Sequence, residues 1–277
     1  MEIKFTKMHG LGNDFVVIDA ISQSINLTPE QIIAISDRHV GVGCDQLLLV
    51  EKPTIPQAEF RYRIFNNDGG EVEQCGNGAR CFAVFVRQQG LTTNDTIAVE
   101  TSGGLIELNI IADQVAVNMG TPDFHPHSLP FLVDNQAETY NLMVNGAEYA
   151  IGAVSMGNPH AVMQVDDLDK ADVDTLGREI EGHPQFPKRV NAGFMQVLSR
   201  DEIRLRVFER GVGETQACGT GACAAVAVGR MLGLLNEQVT VHLLGGDLSI
   251  QWPGEGQALL MTGPATTVFH GKINIDN

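Results

Sequence analysis

The stretch Cys75-Gly76-Asn77-Gly78-Ala79 returns 143 residues later as Cys218-Gly219-Thr220-Gly221-Ala222. Its surroundings return with it. Twelve residues before each Cys stands an Arg, in Arg63-Ile64-Phe65-Asn66 and Arg206-Val207-Phe208-Glu209, and eight residues after each Arg stands a Glu, at 71 and 214. Farther upstream, Gly12-Asn13 followed by Val16-Val17-Ile18 matches Gly157-Asn158 followed by Val162-Met163, at an offset of 145. Matches this dense at nearly one spacing mean that the chain is two copies of one unit. The boundary is expected near Met119-Gly120-Thr121-Pro122, where Gly and Pro interrupt two strand-like runs. That predicts a first half over 1–118 carrying Cys75 and a second half over 119–264 carrying Cys218. The segment 265–277 could belong to either half, including a return to the first.

Each copy reads alike locally. Phe60 to Phe65 and Ile203 to Phe208 alternate apolar residues with Arg, the pattern of strands with one wet face. A Gly-rich turn follows, and then a helix beginning near the Cys-Gly-x-Gly signature. Ala79, Phe82, Ala83 and Val86 share one face of the first helix, and Gly90 ends it. The second, Ala222 to Val228, is apolar all round, as suits a helix enclosed by sheet. Thr28-Pro29-Glu30-Gln31 offers an N-cap, a Pro at N1 and a capping-box Gln. The remainder reads mostly as short Val/Ile/Leu-rich strands. The fold class expected is mixed α/β or α+β with two similar domains.

Bulk properties narrow the function. At 43% hydrophobic, the 277-residue chain can bury a sizeable core. With 18 Lys and Arg against 34 Asp and Glu, the net charge is −16, which repels phosphate backbones and argues against nucleic-acid binding. No run approaches the ~20 apolar residues of a membrane span, and the first residues have no apolar signal core. The expected setting is the cytoplasm. Five cysteines, at 44, 75, 81, 218 and 223, are an odd count without a secretion signal, so reduced thiols are expected rather than a disulfide framework. Neither their spacing nor that of the histidines matches a metal site.

Cys75 and Cys218 differ from the other three by their place at helix starts. There the unpaired backbone N–H groups and the positive end of the macrodipole favour thiolate, and the same N–H groups suit a carboxylate. A thiol from each copy, on either side of one bound carbon, could invert that carbon. One takes the α-proton, the other returns a proton to the opposite face, and the helix N–H groups stabilise the enolate-like charge. No lysine stands in a recognisable pyridoxal motif; Lys188 lies between Pro187 and Arg189. Such chemistry needs no cofactor. Cys44, Cys81 and Cys223 lack this context and read as packing residues.

Met8-His9-Gly10-Leu11-Gly12-Asn13-Asp14-Phe15, Gln74-Cys75-Gly76-Asn77-Gly78-Ala79-Arg80-Cys81, Ser155-Met156-Gly157-Asn158-Pro159-His160 and Gly213-Glu214-Thr215-Gln216-Ala217-Cys218-Gly219-Thr220-Gly221 closely resemble diaminopimelate epimerases, and the similarity extends to Met261-Thr262-Gly263-Pro264-Ala265. The resemblance implies cofactor-independent interconversion of LL- and meso-2,6-diaminopimelate, toward lysine and peptidoglycan. It implies two pseudo-symmetric halves, each a strand barrel around a central helix, with the active site in the cleft between them, and a homodimer.

Position by position, the resemblance implies that Cys75 and Cys218 are the acid/base pair. Gly76, Asn77, Gly219 and Thr220 would hold the reacting carboxylate. Asn13, Gln46, Asn66, Asn158, Asn191, Glu209 and Arg210 would contact the rest of the substrate, Arg210 as a bidentate carboxylate clamp and Glu209 against an ammonium. His160 and Glu209 would tune the thiols. Phe269 stands where the family often has a tyrosine linked to dimer contacts; the ring is kept and the hydroxyl lost. The rival readings are another cofactor-free isomerase such as a proline racemase, a thiol redox protein, and a non-catalytic amino-acid binding protein. The first would not need the Asn, Glu209 and Arg210 set; the second lacks a Cys-x-x-Cys pair; the third would not need paired thiols.

Overall fold

The computed structural model describes residues 1–73 and 75–275; Gln74 of the quoted motif and the last two residues of the C-terminal segment lie outside the described residues. The chain divides into two compact units, one of Met1–Asn118 together with the chain from Thr262 onward, the other Met119–Met261.

In the first unit lie strands β1 (Glu2–Gly10), β2 (Asn13–Asp19), β3 (Gln46–Glu51), β4 (Phe60–Asn66), β5 (Glu71–Val72), β6 (Thr96–Thr101), β7 (Gly104–Ile111) and β8 (Gln114–Asn118), with helices α1 (Pro29–Ser36) and α2 (Gly76–Gln88). β1 and β2 pair antiparallel, β2 and β3 parallel, β3 and β4 antiparallel, β4 and β6 parallel, β6 and β7 antiparallel. β8 continues antiparallel from β7.

The second unit holds β9 (Tyr140–Val144), β10 (Ala147–Ser155), β11 (Pro159–Gln164), β12 (Asn191–Ser199), β13 (Glu202–Glu209), β14 (Gly213–Glu214), β15 (Gln238–Leu243) and β16 (Gly246–Gln251), with α3 (Val173–Glu181) and α4 (Gly219–Met231). From β10 onward its pairings repeat the same sequence: antiparallel, parallel, antiparallel, parallel, antiparallel. The register repeats too, with Phe15 opposite Gln46 in one unit and His160 opposite Asn191 in the other. β17 (Leu260–Pro264) crosses the unit boundary, and β18 (Thr266–Asn274) pairs antiparallel with β1.

Parallel neighbours need a crossover, and a helix supplies each one. α1 joins β2 to β3 and α2 joins β4 to β6; α3 and α4 do the same for β11–β12 and β13–β15. α2 touches β1, β2, β3, β7 and β8, so the sheet of its unit curls around it. α4 likewise touches β10, β11, β12, β13 and β16. The outer faces carry α1 and α3. This explains the unbroken apolar runs: Phe15 to Ile18 and Leu47 to Val50 are buried throughout because both faces of β2 and β3 are covered.

The expected capping box at Thr28 is present, with the Thr28 side chain on the Gln31 N–H and the Gln31 side chain returning to the Thr28 backbone. Gly90 and Gly233, both at φ +69°, follow α2 and α4. α3 was not anticipated, since that region reads as short strands. Its signals were Asp172, whose side chain accepts from the Thr175 N–H, and buried Val173, Gly177 and Ile180 at helical spacing. The repeated Arg and Glu prove to be a brace: Arg63 binds Glu71 through two N–H···O bonds of 2.9 and 2.7 Å, and Arg206 binds Glu214 through two of 2.6 and 2.8 Å. Each pair ties a long strand to the short one after it. Among the described residues no helix is long and apolar enough to cross a membrane.

Close helix-to-strand packing is testable at Gly152 on β10. A Cβ there would meet Val228 Cγ1 of α4 at 2.3 Å. Gly152→Ala is expected to destabilise the protein by about 1–3 kcal/mol, read as a lower urea midpoint at unchanged slope.

Candidate active site

Cys75 and Cys218 are the N-cap residues of α2 and α4, both with extended backbone. The N-cap residue of each helix offers its first turn a thiol rather than a Ser, Thr, Asp or Asn oxygen, and neither helix carries an acidic residue in that turn. The positive end of each dipole is therefore not offset by its own helix, the arrangement that suits an anion. The third helical residue must be glycine for this first turn to fit. A Cβ on Gly78 would meet Tyr62 Oη at 2.7 Å and Ile64 Cδ1 at 3.3 Å; one on Gly221 would meet Val207 Cγ2 at 2.9 Å and Cys218 Sγ at 3.2 Å. Ile64 and Val207 stand at the same place in the two copies.

In the first unit, half-buried Cys75 lies 3.7 Å from Asn13 Oδ1, and Asn77 Nδ2 donates to that same oxygen at 3.2 Å. Tyr62 Oη donates to the Cys75 carbonyl at 3.4 Å. Gln46 Nε2 donates to Asn66 Oδ1 at 2.8 Å, directly across β3 and β4.

In the second unit the groups form one connected set. His160 Nε2 lies 3.0 Å from Asn158 Oδ1, Asn158 Nδ2 donates to Thr220 Oγ1 at 3.3 Å, and Thr220 Oγ1 lies 3.6 Å from Cys218 Sγ. The Cys218 thiol also meets Glu209, whose carboxylate accepts from the Thr215 hydroxyl. Asn191, 3% exposed, spends its amide on backbone: Nδ2 donates to the Pro159 carbonyl and Oδ1 accepts from the Arg210 N–H. Arg210 itself is exposed, with Nη1 3.3 Å from the Lys188 carbonyl.

Electrostatics at Cys218 run against the helix-start expectation. Burial pushes the thiol well above its ordinary value, and the neighbouring Glu209 carboxylate pushes the same way; the Thr220 hydroxyl and the Gly221 N–H pull back without prevailing. At neutral pH Cys218 holds its proton. Burial, then the charge of Arg210, lowers His160 to about 3, so its imidazole is neutral. Its register partner in the other unit is Phe15, which shows the position to be a core one.

A sequence profile of the family described as Diaminopimelate epimerase matches residues 5–125 and 152–268. A diaminopimelate epimerase from Teredinibacter turnerae is 60% identical over 99% of this chain and 100% of its own. One from Thioalkalivibrio sulfidiphilus is 61% identical, with the same coverage. The chain belongs to the diaminopimelate epimerase family. The fold is shared more widely: a hydroxyproline epimerase from Agrobacterium vitis aligns at a TM-score of 0.73 and 14% identity, covering 100% of this chain and 93% of that one. A phenazine biosynthesis protein of the PhzF family from Bacillus anthracis aligns at 0.71 and 17%, covering 99% and 100%.

For this family member, the structure gathers the expected residues into local groups. Asn13, Cys75 and Asn77 meet in the first unit; His160, Asn158, Thr220, Cys218 and Glu209 meet in the second. Gln46 and Asn66 pair separately, as do Asn191 and Arg210. Phe269 lies elsewhere, on β18, 46% exposed and edge-on to Phe5 at 5.9 Å. Cys44, Cys81 and Cys223 are fully buried, and burial raises the thiols of Cys44 and Cys81. Tyr62 and Thr215 were not anticipated; an aromatic on a strand and a threonine in a turn carry no sequence signal of contact with a cysteine backbone or a carboxylate. Among the described residues no group of three or more His, Cys, Asp or Glu could hold a metal ion.

Two measurements check the electrostatics. Glu209→Gln removes an anion and an acceptor from Cys218, so the pH midpoint of its alkylation should move down, with wild-type secondary structure. His160 has a folded pKa below its unfolded value. It therefore stabilises the fold fully above about 6.5 and loses that contribution as pH falls toward about 3. His160→Gln should flatten the stability curve across that window.

Proposed function

We propose that this protein interconverts LL- and meso-2,6-diaminopimelate by two-base proton transfer, with Cys75 and Cys218 on opposite faces of the α-carbon. One observation carries this: two units of identical strand order each place a cysteine at the start of a strand-wrapped helix. Duplication of the whole unit gives two thiols of the same backbone setting, which a one-base reaction or a simple binding site would not require. Family membership supports the substrate, a molecule with two amino-acid ends.

In this mechanism Cys218, held protonated by burial and Glu209, is the acid in the starting form, and Cys75 takes the α-proton. In the reverse direction the labels exchange. Carboxylate bound at Gly76, Asn77, Gly219 and Thr220 would place the developing enolate charge against helix N–H groups. Asn13, Gln46, Asn66, Asn158, Asn191, Glu209 and Arg210 would serve the remaining polar groups of the substrate. Asn191 would do so by fixing the backbone of Arg210 rather than by an exposed amide, and His160 by orienting Asn158 rather than by charge. The side chains supply acid, base and anion binding, so no cofactor enters the scheme.

We further propose a cytoplasmic homodimer whose contact includes exposed Val268 and Phe269 on β18. A monomer mass by sedimentation at micromolar concentration would remove that part.

Incubation of the reduced protein with LL-diaminopimelate in D2O should give α-deuterated product and the meso isomer. Absence of both sinks the assignment. Cys75→Ala and Cys218→Ala should each lower kcat by on the order of a thousandfold or more with unfolding midpoints near wild type; normal turnover in either would exclude the two-thiol route.

A further inference from the structure

Asn77 and Asn13, the two amides beside Cys75, are each bound at their far end by a charged group that can form its hydrogen bond in one sense only. Arg80 is fully buried, and its Nη2 donates to Asn77 Oδ1 at 2.9 Å. A guanidinium has no acceptor, so Asn77 must turn its oxygen to Arg80 and its NH2 away. At the other end Asn13 Nδ2 donates to Asp45 Oδ2 at 3.0 Å. A carboxylate has no donor, so Asn13 must turn its NH2 to Asp45 and its oxygen away. The two freed ends meet: Asn77 Nδ2 donates to Asn13 Oδ1, the atom 3.7 Å from Cys75 Sγ.

Both ends are themselves held. Arg80 also donates from Nε to the Pro264 carbonyl at 3.1 Å and from Nη1 to the Gly76 carbonyl at 3.4 Å. Asp45 accepts from Arg38 Nη2 at 2.7 Å and from the Asp14 N–H at 3.0 Å. Arg38 and Lys7 in turn pin Asp14, whose carboxyl they hold well below its usual range against the opposing effect of burial.

We infer that Arg80 and Asp45 are positioning residues of the catalytic site: a cation and an anion at the two ends of an amide chain that aim an acceptor oxygen at Cys75. This rests on the proposed two-thiol mechanism for its meaning and extends it to residues that touch no substrate. The second copy is built otherwise. Cys223 stands where Arg80 would be, and Thr220 where Asn77 would be. There the chain runs from Asn158 toward the helix residue, so Thr220 accepts from Asn158 and keeps its proton for the Cys218 sulfur. The two thiols thus differ in their partners: Cys75 faces the Asn13 amide oxygen, an acceptor, whereas Cys218 lies between the Thr220 hydroxyl as donor and the Glu209 carboxylate as acceptor.

The other titratable groups around Cys75 are Tyr62 on β4, Cys81 on α2 and Glu73 just upstream in sequence. None is altered by the test, which reads the pH midpoint of Cys75 alkylation by iodoacetamide, followed by peptide mass spectrometry, in Arg80→Met, Arg80→Lys and Asp45→Asn. Arg80→Met removes the cation and should move the midpoint up by about half a unit or more. Arg80→Lys keeps charge and a donor and should return it toward wild type. Asp45→Asn frees Asn13 to present its NH2 and should move the midpoint down. In turnover, kcat/KM for Arg80→Met and Asp45→Asn should fall by about a hundredfold.

Opposite shifts from the two ends support the assignment; unmoved midpoints, or shifts of one sign, overturn it. If Arg80→Met does not fold, Asp45→Asn decides alone, an unmoved midpoint overturning the assignment. Alkylation needs no turnover. Shifted midpoints in a protein whose wild type does not epimerise would therefore refute the function and leave the orienting role standing.

Discussion

A helix start can sit against a strand layer only where its first turn comes within van der Waals reach of the strand behind it. In this chain Gly78 and Gly221 allow that approach, against Ile64 and Val207 of β4 and β13. The rest follows from it. With the third helical residue reduced to a hydrogen, the helix seats deeply enough for the curled sheet to cover its sides, and its N-cap residue falls at the strand ends. A cysteine at that cap stands beside a cluster of first-turn N–H groups while its neighbours on the helix are core. Any side chain at the third position would lift the cap out of place.

The duplication repeats backbone closely and chemistry loosely. Strand order, parallel crossovers, the Arg–Glu braces and the helix-capping cysteines recur. The polar groups around the sulfurs do not. Glu209 replaces Asn66, Thr220 replaces Asn77, Cys223 replaces Arg80, and His160 takes the register position of Phe15. The first three exchanges change the charge near a sulfur or the direction of a hydrogen bond, and the fourth adds a polar partner for Asn158. A symmetric pair of thiols would have equal proton affinities, whereas a two-base inversion starts with one proton on one of them. Burial and Glu209 hold a proton on Cys218. The copies have diverged in the features that break this degeneracy.

Much of this was legible in the residues. The repeat, the strands before each turn, the helices after each cysteine and the Thr28 capping box are local or periodic signals, and the structure has them where the pattern put them. The choice of Cys75 and Cys218 over Cys44, Cys81 and Cys223 came from position relative to a helix start, a one-dimensional property. α3 was missed because its short apolar stripe is weaker than the β-branched runs around it. The parallel pairing of β11 with β12, which demands a crossover helix, is a fact of tertiary structure.

The sequence by itself determined the two-copy plan, the secondary elements and the cysteines at the helix starts, because these depend on spacing, periodicity and residue type within a few turns of chain. Only the tertiary structure decided the protonation balance and the orientation of the amides. Cys218 reads from sequence as an activated thiol; enclosure and a carboxylate from the end of β13 raise it instead. By resemblance His160 is a position that tunes the thiols; complete burial makes it neutral. Proton affinity is set by what surrounds a group in three dimensions, and desolvation at these sites outweighs the helix-end field that sequence can anticipate.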